Sequence, residues 1–152
     1  MRYRTLGSTG LRVSVVGIGT WQFGGEWGRD FSQTEVDAIL DQAAALGINL
    51  IDTAECYGDH HSEKLIGDYL SRHDRYRWIV ATKFGHHFNR FMDRTDDFSV
   101  ADVRRQLDAS LGALRLDTID IYQFHSGHDV SFQNEKRFAH RQVRPRRHLR
   151  AK

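Results

Sequence analysis

Apolar residues along the chain follow two spacings that separate strands from helices. Four short runs are apolar almost without interruption, which is typical of strands buried in a parallel sheet. They are "VVGIGTW" at 15–21, "INLID" at 48–52, "WIVATK" at 78–83 and "TIDIYQF" at 118–124. Between these runs, apolar residues recur every three or four positions, as they do on one face of a helix. The pattern therefore predicts strands that alternate with helices.

Polar residues mark where each predicted helix begins. Ser32 precedes Glu35 at the spacing of a capping box, and Gly47 ends the apolar pattern of this first helix. Ser62 is predicted to cap the second helix, and Ser99, followed by Asp102, to cap the third. The predicted inner stripes are Val36, Ile39, Leu40, Ala43 and Leu46, then Leu65, Ile66, Tyr69 and Leu70, then Val103, Leu107, Leu111 and Leu114.

The order of these elements predicts an α/β fold. "RYRTLG" and "LRVSVVG" flank the turn "STG", which indicates a β-hairpin before the first helix. A doubly wound dinucleotide-binding sheet would need G-x-G-x-x-G after the first strand, but "GIGTWQFGG" lacks the third glycine at the required position. A (β/α)8 TIM-barrel type is the preferred prediction, represented by about four βα units after the hairpin.

Composition narrows the setting of the protein. No segment has the roughly 18 uninterrupted apolar residues of a membrane span, and "MRYRTLGSTG" has no apolar region typical of an export signal. The single cysteine, Cys56, cannot form an internal disulfide, which agrees with a reducing compartment. We therefore expect a cytoplasmic protein without membrane partners.

Chemically versatile side chains follow three successive strands. Asp52, Lys83 and His125 each stand at the carboxyl end of a predicted strand, where (β/α)8 barrels assemble catalytic groups. Tyr57 lies in the loop after the second strand and can face the same rim. Because an adjacent ammonium favours a phenolate, Lys83 is expected to lower the pKa of Tyr57, with Asp52 holding Lys83 in place. Each residue also has a purely structural interpretation, but such interpretations would have to hold for all four independently.

The motifs at these strand ends resemble the N-terminal half of the aldo-keto reductase family. The matching segments are "GIGTW", "GINLIDTAECYG", "ATKFG" and "IDIYQFH", in this order, and the likeness extends over about residues 1–132. It implies reduction of an aldehyde or ketone by NADPH, without a metal. By this resemblance Tyr57 is the proton donor, Asp52 and Lys83 tune it, and His125 orients the carbonyl oxygen. Thr20, Trp21 and Asp52 are implied to contact the nicotinamide end of the cofactor.

Other interpretations of the same residues stay open. Trp21, Phe23, Trp27 and Phe88 could line an apolar substrate pocket, or could serve as lids over the core. A metal-dependent hydrolase would use the histidines near the strand ends, namely His60, His61, His86, His87 and His128, together with Cys56. A Schiff-base aldolase would use Lys83 as its nucleophile.

Length and charge separate the chain into two regions. Residues 1–132 carry 14 lysines and arginines against 19 acidic residues, whereas residues 133–152 carry 8 against 1. The second region is predicted to be a basic, disordered tail without a specific nucleic-acid role. A simpler hypothesis is that the gene is interrupted and the tail is translated out of frame or is an artefact. A closed barrel needs about 250 residues, and only 27 follow His125. We therefore expect an inactive, truncated reductase. The alternative is a non-catalytic barrel fragment that either is unstable or assembles with a partner, including a second copy that pairs through the exposed sheet edges.

Overall fold

The computed structural model of the chain describes residues 1–126. The predictions for the basic region 133–152 and for His128 lie outside these residues, so the division at residue 132 stays a prediction. None of the helices within 1–126 is long and apolar enough to cross a bilayer.

A parallel sheet of four strands forms the centre of the described region. Its strands are β3 (Ile18–Gly19), β4 (Leu50–Asp52), β5 (Ile79–Phe84) and β8 (Ile121–Phe124), and each lies beside the next one along the chain. A sheet whose strand order follows the sequence without reversal is the arrangement of a barrel, whereas the Rossmann order reverses at a switch point. All four predicted strands are present, although β3, β4 and β8 are shorter than their apolar runs.

Two antiparallel hairpins flank this sheet. The first, β1 (Tyr3–Thr5) with β2 (Arg12–Ser14), confirms the hairpin predicted at the N-terminus. Asn49 holds it against the start of β4, because its side chain accepts from the Ser14 amide at 2.7 Å and donates to the Arg12 carbonyl at 2.9 Å. The second hairpin, β6 (His86–Arg90) with β7 (Asp93–Asp96), follows β5 and was not predicted.

Three helices cover one face of the sheet. They are α1 (Gln33–Ala45), α2 (His61–Leu70) and α3 (Val100–Leu114). The capping box of Ser32 and Glu35 is formed, and the Ser99 side chain accepts from the Asp102 amide, so both predicted caps are confirmed. The core between helices and sheet includes Val36, Leu40, Ile51, Ile66, Trp78, Val80 and Leu114.

The predicted cap of α2 at Ser62 is wrong. The helix begins at His61 with His60 as its N-cap, in a left-handed conformation at φ 64°. The fully buried Ser62 hydroxyl instead donates to the Thr20 carbonyl at 2.9 Å and lies 3.0 Å from Thr53 Oγ1. Ser62 thus bonds to residues that directly follow β3 and β4, and it does not cap its own helix.

The helix faces also differ in part from the predicted stripes. Ile39 and Leu46 of the first stripe are exposed. On α3 the fully enclosed side chains include Asp102, Gln106 and Ser110, while Leu107 and Leu111 are only half-buried against the core. Two of these polar residues bind the second hairpin and the residue before it: Asp102 contacts His87 of β6, and Gln106 accepts from the Gly85 amide at 2.8 Å.

Substitution of two helical glycines, Gly67 on α2 and Gly112 on α3, tests how closely these helices pack. A methyl group added at Gly67 would lie 2.4 Å from the Ala113 carbonyl oxygen, whereas one added at Gly112 would meet no atom within 4 Å. We expect Gly67→Ala to lower the free energy of unfolding by about 1–3 kcal/mol, because the helices must separate. Gly112→Ala should leave it unchanged or raise it by up to about 1 kcal/mol through helix propensity. Urea unfolding followed by circular dichroism measures both, and equal effects would contradict this packing.

Candidate active site

Lys83 lies at the centre of a group of side chains at the carboxyl ends of the strands. Its Nζ atom donates to Asp52 Oδ1 at 2.9 Å and to the Thr53 carbonyl at 2.8 Å. A third contact, at 3.3 Å, reaches the hydroxyl of Tyr57. Only 14% of the Lys83 side chain is exposed, so these contacts are shielded from solvent. Lys83 therefore joins the acid at the end of β4 to the phenol in the following loop.

A close backbone contact fixes the loop that carries Tyr57. Gly58 has φ 63°, and a methyl group there would lie 2.1 Å from the carbonyl oxygen of Gly24, at the end of the 3-10 helix Trp21–Gly24. Only glycine allows this approach without strain. The ring of Tyr57 also stacks on the ring of Trp21, with centroids 6.0 Å apart.

The pKa of Tyr57 departs from the sequence-based expectation. Burial raises the pKa of Tyr57 above its ordinary value, and this effect outweighs the opposing influence of the Lys83 ammonium. Lys83 does act to lower the pKa of Tyr57, as predicted. The net shift of this pKa is nevertheless upward, so the prediction of a lowered pKa is wrong. The phenol consequently stays protonated at neutral pH and retains a proton to donate.

His125 completes the group from the end of β8. Its backbone amide donates to the Phe84 carbonyl at 2.9 Å, and its ring meets the Tyr57 ring edge-on at 5.8 Å. On its other side, Nδ1 lies 3.4 Å from the Cys56 sulfur and 3.8 Å from Glu55 Oε2. The structure therefore brings together the four residues predicted to be catalytic, and adds Cys56, considered above only for a hydrolase, and Glu55, which the sequence did not indicate.

The three residues implied to contact a cofactor lie in different surroundings. Trp21 stacks on Tyr57, and 43% of the Asp52 side chain is exposed, so both are accessible beside the group. Thr20 is fully buried, and its hydroxyl donates to the Asp52 carbonyl at 3.0 Å. Trp21 and Asp52 can thus meet a ligand, whereas Thr20 supports the strand end.

A groove of about 200 Å3 opens at the strand ends, beside Tyr57 and His125. It is lined by Trp21, Cys56, Tyr57, His86, Met92, Arg94 and His125. A larger depression of about 360 Å3 lies between α2 and α3, away from the strand ends. Of these two cavities the groove is the site of interest, because Tyr57 and His125 line it.

The walls of the groove are more polar than predicted. Of the four aromatic residues expected there, only Trp21 lines it. Phe23 packs against Phe31 in the core, Trp27 is largely exposed, and the Phe88 ring lies under the Arg94 guanidinium. Their places are taken by His86, Met92 and Arg94 from the second hairpin.

A buried carboxylate fixes this hairpin to the first loop. Glu26 is 6% exposed; it accepts from the Trp21 indole nitrogen at 3.1 Å and pairs with the Arg94 guanidinium. The charge of Arg94 is thereby neutralised at the groove. The ion pair of Glu26 with Arg94 could not be predicted from the sequence, because the two residues are 68 positions apart.

The strand order, the side chains gathered at the strand ends and the sequence all agree with one protein family. The model of the aldo/keto reductase family matches residues 15–132. The chain belongs to the aldo/keto reductase family. This confirms the resemblance that the strand-end motifs indicated over about residues 1–132.

Relatives of this aldo/keto reductase chain include enzymes of plants and bacteria. L-galactose dehydrogenase of Arabidopsis thaliana is 40% identical over 131 residues, which cover 85% of this chain and 38% of that protein. The NADH-specific methylglyoxal reductase of Escherichia coli is 38% identical over 137 residues, covering 82% and 42%. The chain therefore spans about two-fifths of the length of these relatives.

Solved structures confirm the fold. An aldo-keto reductase of Pseudomonas aeruginosa superposes with a TM-score of 0.78 at 38% identity, over 90% of this chain and 52% of that one. The holo form of an aldo-keto reductase from Bacillus halodurans gives 0.74 at 33% identity, over 84% and 41%. The (β/α)8 fold class is thus confirmed, with four of its strands among the described residues.

The geometry disfavours the two alternative enzymes of the sequence analysis. As a Schiff-base nucleophile Lys83 would need a free lone pair, but its nitrogen contacts three acceptors as an ammonium does. Of the described histidines proposed for a hydrolase, His86 lies at the groove with Cys56, but each pairs with its own carboxylate: His60 with Glu63, His86 with Asp96 and His87 with Asp102. Burial also raises the pKa of the Cys56 thiol to about 12, so Cys56 is not an activated nucleophile.

Proposed function

We propose that this chain supplies the proton-donating half of a site that reduces an aldehyde or ketone to an alcohol with a nicotinamide cofactor. The observation that carries the proposal is the contact of Lys83 Nζ with both Asp52 and Tyr57, with His125 beside the phenol. Such a donor next to a cation and an imidazole suits a reaction in which negative charge develops on one oxygen.

Each residue has a distinct role in this proposal. Tyr57 donates its proton to the carbonyl oxygen as charge grows there, and the Lys83 ammonium stabilises the resulting phenolate. Asp52 holds Lys83 in place through the 2.9 Å contact. His125 donates a hydrogen bond to the same oxygen, which positions a small carbonyl substrate in the groove.

The residues around the groove fit a nicotinamide ring. Trp21 presents an aromatic face stacked beside Tyr57, and the half-exposed Asp52 can accept hydrogen bonds. The cofactor, when bound, supplies the hydride. We propose NADPH as the cofactor, as the family resemblance implies, although one relative is named as NADH-specific. The cytoplasmic location also stays a prediction.

We expect the 152-residue chain to show no carbonyl reduction on its own. The described residues provide one wall of the site, and in the family likeness the second half of the barrel supplies the remaining cofactor contacts. The measurement is the loss of absorbance of NADPH, and separately of NADH, with a panel of aldehydes and ketones. Turnover that disappears in Tyr57→Phe would show instead that this chain is a complete enzyme.

A non-catalytic fragment that assembles with a partner is the second candidate. It is favoured by β8, which pairs only with β5 among residues 1–126 and has an exposed side chain at Gln123. The edge strand of a sheet can add a strand from another molecule. We expect self-association of the purified chain into dimers or larger species, measured by size exclusion with light scattering. A stable monomer at all concentrations would contradict it.

A further inference from the structure

Three potential metal ligands of different chemistry meet at one wall of the groove. They are the Glu55 carboxylate, the Cys56 sulfur and the His125 imidazole, whose ligand atoms lie within 4.8 Å of one another. His125 Nδ1 lies 3.4 Å from the sulfur and 3.8 Å from Glu55 Oε2. The proposed reduction uses only the histidine, so the thiol and the carboxylate have no role in it.

One oxygen of the Glu55 carboxylate lacks a hydrogen-bond partner among the described residues. Glu55 is 3% exposed, and its Oε1 atom accepts from the His86 amide at 3.0 Å. Oε2 is buried without a hydrogen-bond partner among the described residues, and the His125 imidazole is its nearest ion-pairing group. A buried carboxylate oxygen is normally satisfied by a donor or a cation.

The nearby cations are already paired with other carboxylates. Arg94 pairs with the buried Glu26 and also contacts the Cys56 sulfur, and Lys83 pairs with Asp52. Neutralising Glu55 with Arg94 would leave Glu26 buried without its cation, and Lys83 would lose its contacts with Asp52 and Tyr57. Among the described residues, Glu55 Oε2 therefore faces only the His125 imidazole, at 3.8 Å.

We propose that Glu55, Cys56 and His125 form a site for a zinc-like divalent cation. Ligand atoms held about 2.0–2.3 Å from one tetrahedral ion lie about 3.3–3.6 Å apart. The 3.4 Å between His125 Nδ1 and the Cys56 sulfur lies in this range, and the 3.8 Å between Nδ1 and Glu55 Oε2 lies just above it. A thiolate and an imidazole select Zn2+ or Co2+ over Mg2+ and Ca2+, which prefer oxygen ligands. The fourth position faces the groove, because Cys56 and His125 both line it.

This site is compatible with the role of His125 in carbonyl reduction. Coordination through Nδ1 leaves the imidazole proton on Nε2, where it can be donated to a carbonyl oxygen. A second group with metal-ligand spacing, His87, Asp97 and Asp102, differs because it lacks a thiol. Its buried member, Asp102, already accepts from Arg105 and Gln106. It therefore serves as an internal comparison.

Cobalt titration of the full-length chain tests the proposal without any assay of turnover. We expect one equivalent of Co2+ to produce the near-ultraviolet absorption of a cobalt–thiolate bond, and Zn2+ to abolish it by displacement. Because Cys56 is the single cysteine, the band reports on this site alone. The absence of the band in the wild-type chain would overturn the proposal, whatever the fate of the proposed reductase function.

Variants distinguish the three-ligand site from binding by the thiol alone. Loss of even an outer-shell partner costs roughly 10- to 100-fold in metal affinity, so Glu55→Gln should weaken Co2+ binding by at least about 10-fold. Asp97→Asn, in the comparison group, should leave both band and affinity unchanged. Equal affinity in the wild type and Glu55→Gln would show that the buried carboxylate is not a ligand, and would overturn the site.

Discussion

Replacement of Tyr57 by phenylalanine is expected to lower kcat for carbonyl reduction by about 10²- to 10⁴-fold, the usual contribution of a positioned general acid. The substitution removes the hydroxyl that Lys83 contacts at 3.3 Å and keeps the ring that stacks on Trp21. Because we propose that this chain supplies only part of the site, the assay uses a completed barrel, in which residues 1–126 of this chain are joined to the part of the Pseudomonas aeruginosa relative that the chain does not match. Consumption of NADPH with an aldehyde substrate gives kcat.

A tyrosine far from the groove provides the matched control. Tyr76 lies in the 3-10 helix Arg75–Arg77 and is 81% exposed. Tyr76→Phe should leave kcat within about twofold of the wild type, because surface substitutions rarely alter the fold. If Tyr57→Phe behaved like Tyr76→Phe, the proton donor would have to be another group.

Replacement of Lys83 by methionine is expected to lower kcat by about 10²- to 10³-fold, the cost of removing one preorganised electrostatic partner of the transition state. Without the ammonium, the phenolate that forms on proton transfer has no adjacent cation. Asp52 is partly exposed and can be solvated after the change, so the fold should persist. The measurement is kcat in the completed barrel, together with the thermal unfolding midpoint.

The control for this change is Lys64→Met on the exposed side of α2. It removes the same charge at a distance from the strand ends and should leave kcat unchanged. A parallel loss of unfolding midpoint and activity in Lys83→Met would indicate a structural role for the ion pair. A loss of activity at an unchanged midpoint supports the tuning role.

Features encoded within a few residues were predictable from the sequence. The capping box of Ser32 and Glu35, the cap at Ser99 and the apolar strand runs each depend on neighbours along the chain. The placement of Asp52, Lys83 and His125 on one rim followed from the same logic, because parallel strands end at a common edge.

Features that depend on distant partners were missed. The hairpin of β6 and β7 has a polar sequence without alternation, and it is held by contacts such as Arg94 with Glu26 and His87 with Asp102. Ser62 failed as a cap because its hydroxyl contacts Thr20, 42 positions away. The net pKa shift of Tyr57 was missed because burial, which no local pattern reveals, outweighs Lys83.

The central claim is that Tyr57 donates the proton in carbonyl reduction, and the deuterium isotope effect on kcat tests it most directly. The measurement compares NADPH with NADPH deuterated at the transferred position, in completed barrels carrying Tyr57→Phe or Tyr76→Phe. We predict a lower kcat with a larger isotope effect in Tyr57→Phe, because loss of the donor makes the chemical step limit turnover. The same kcat and isotope effect in both variants would contradict the claim.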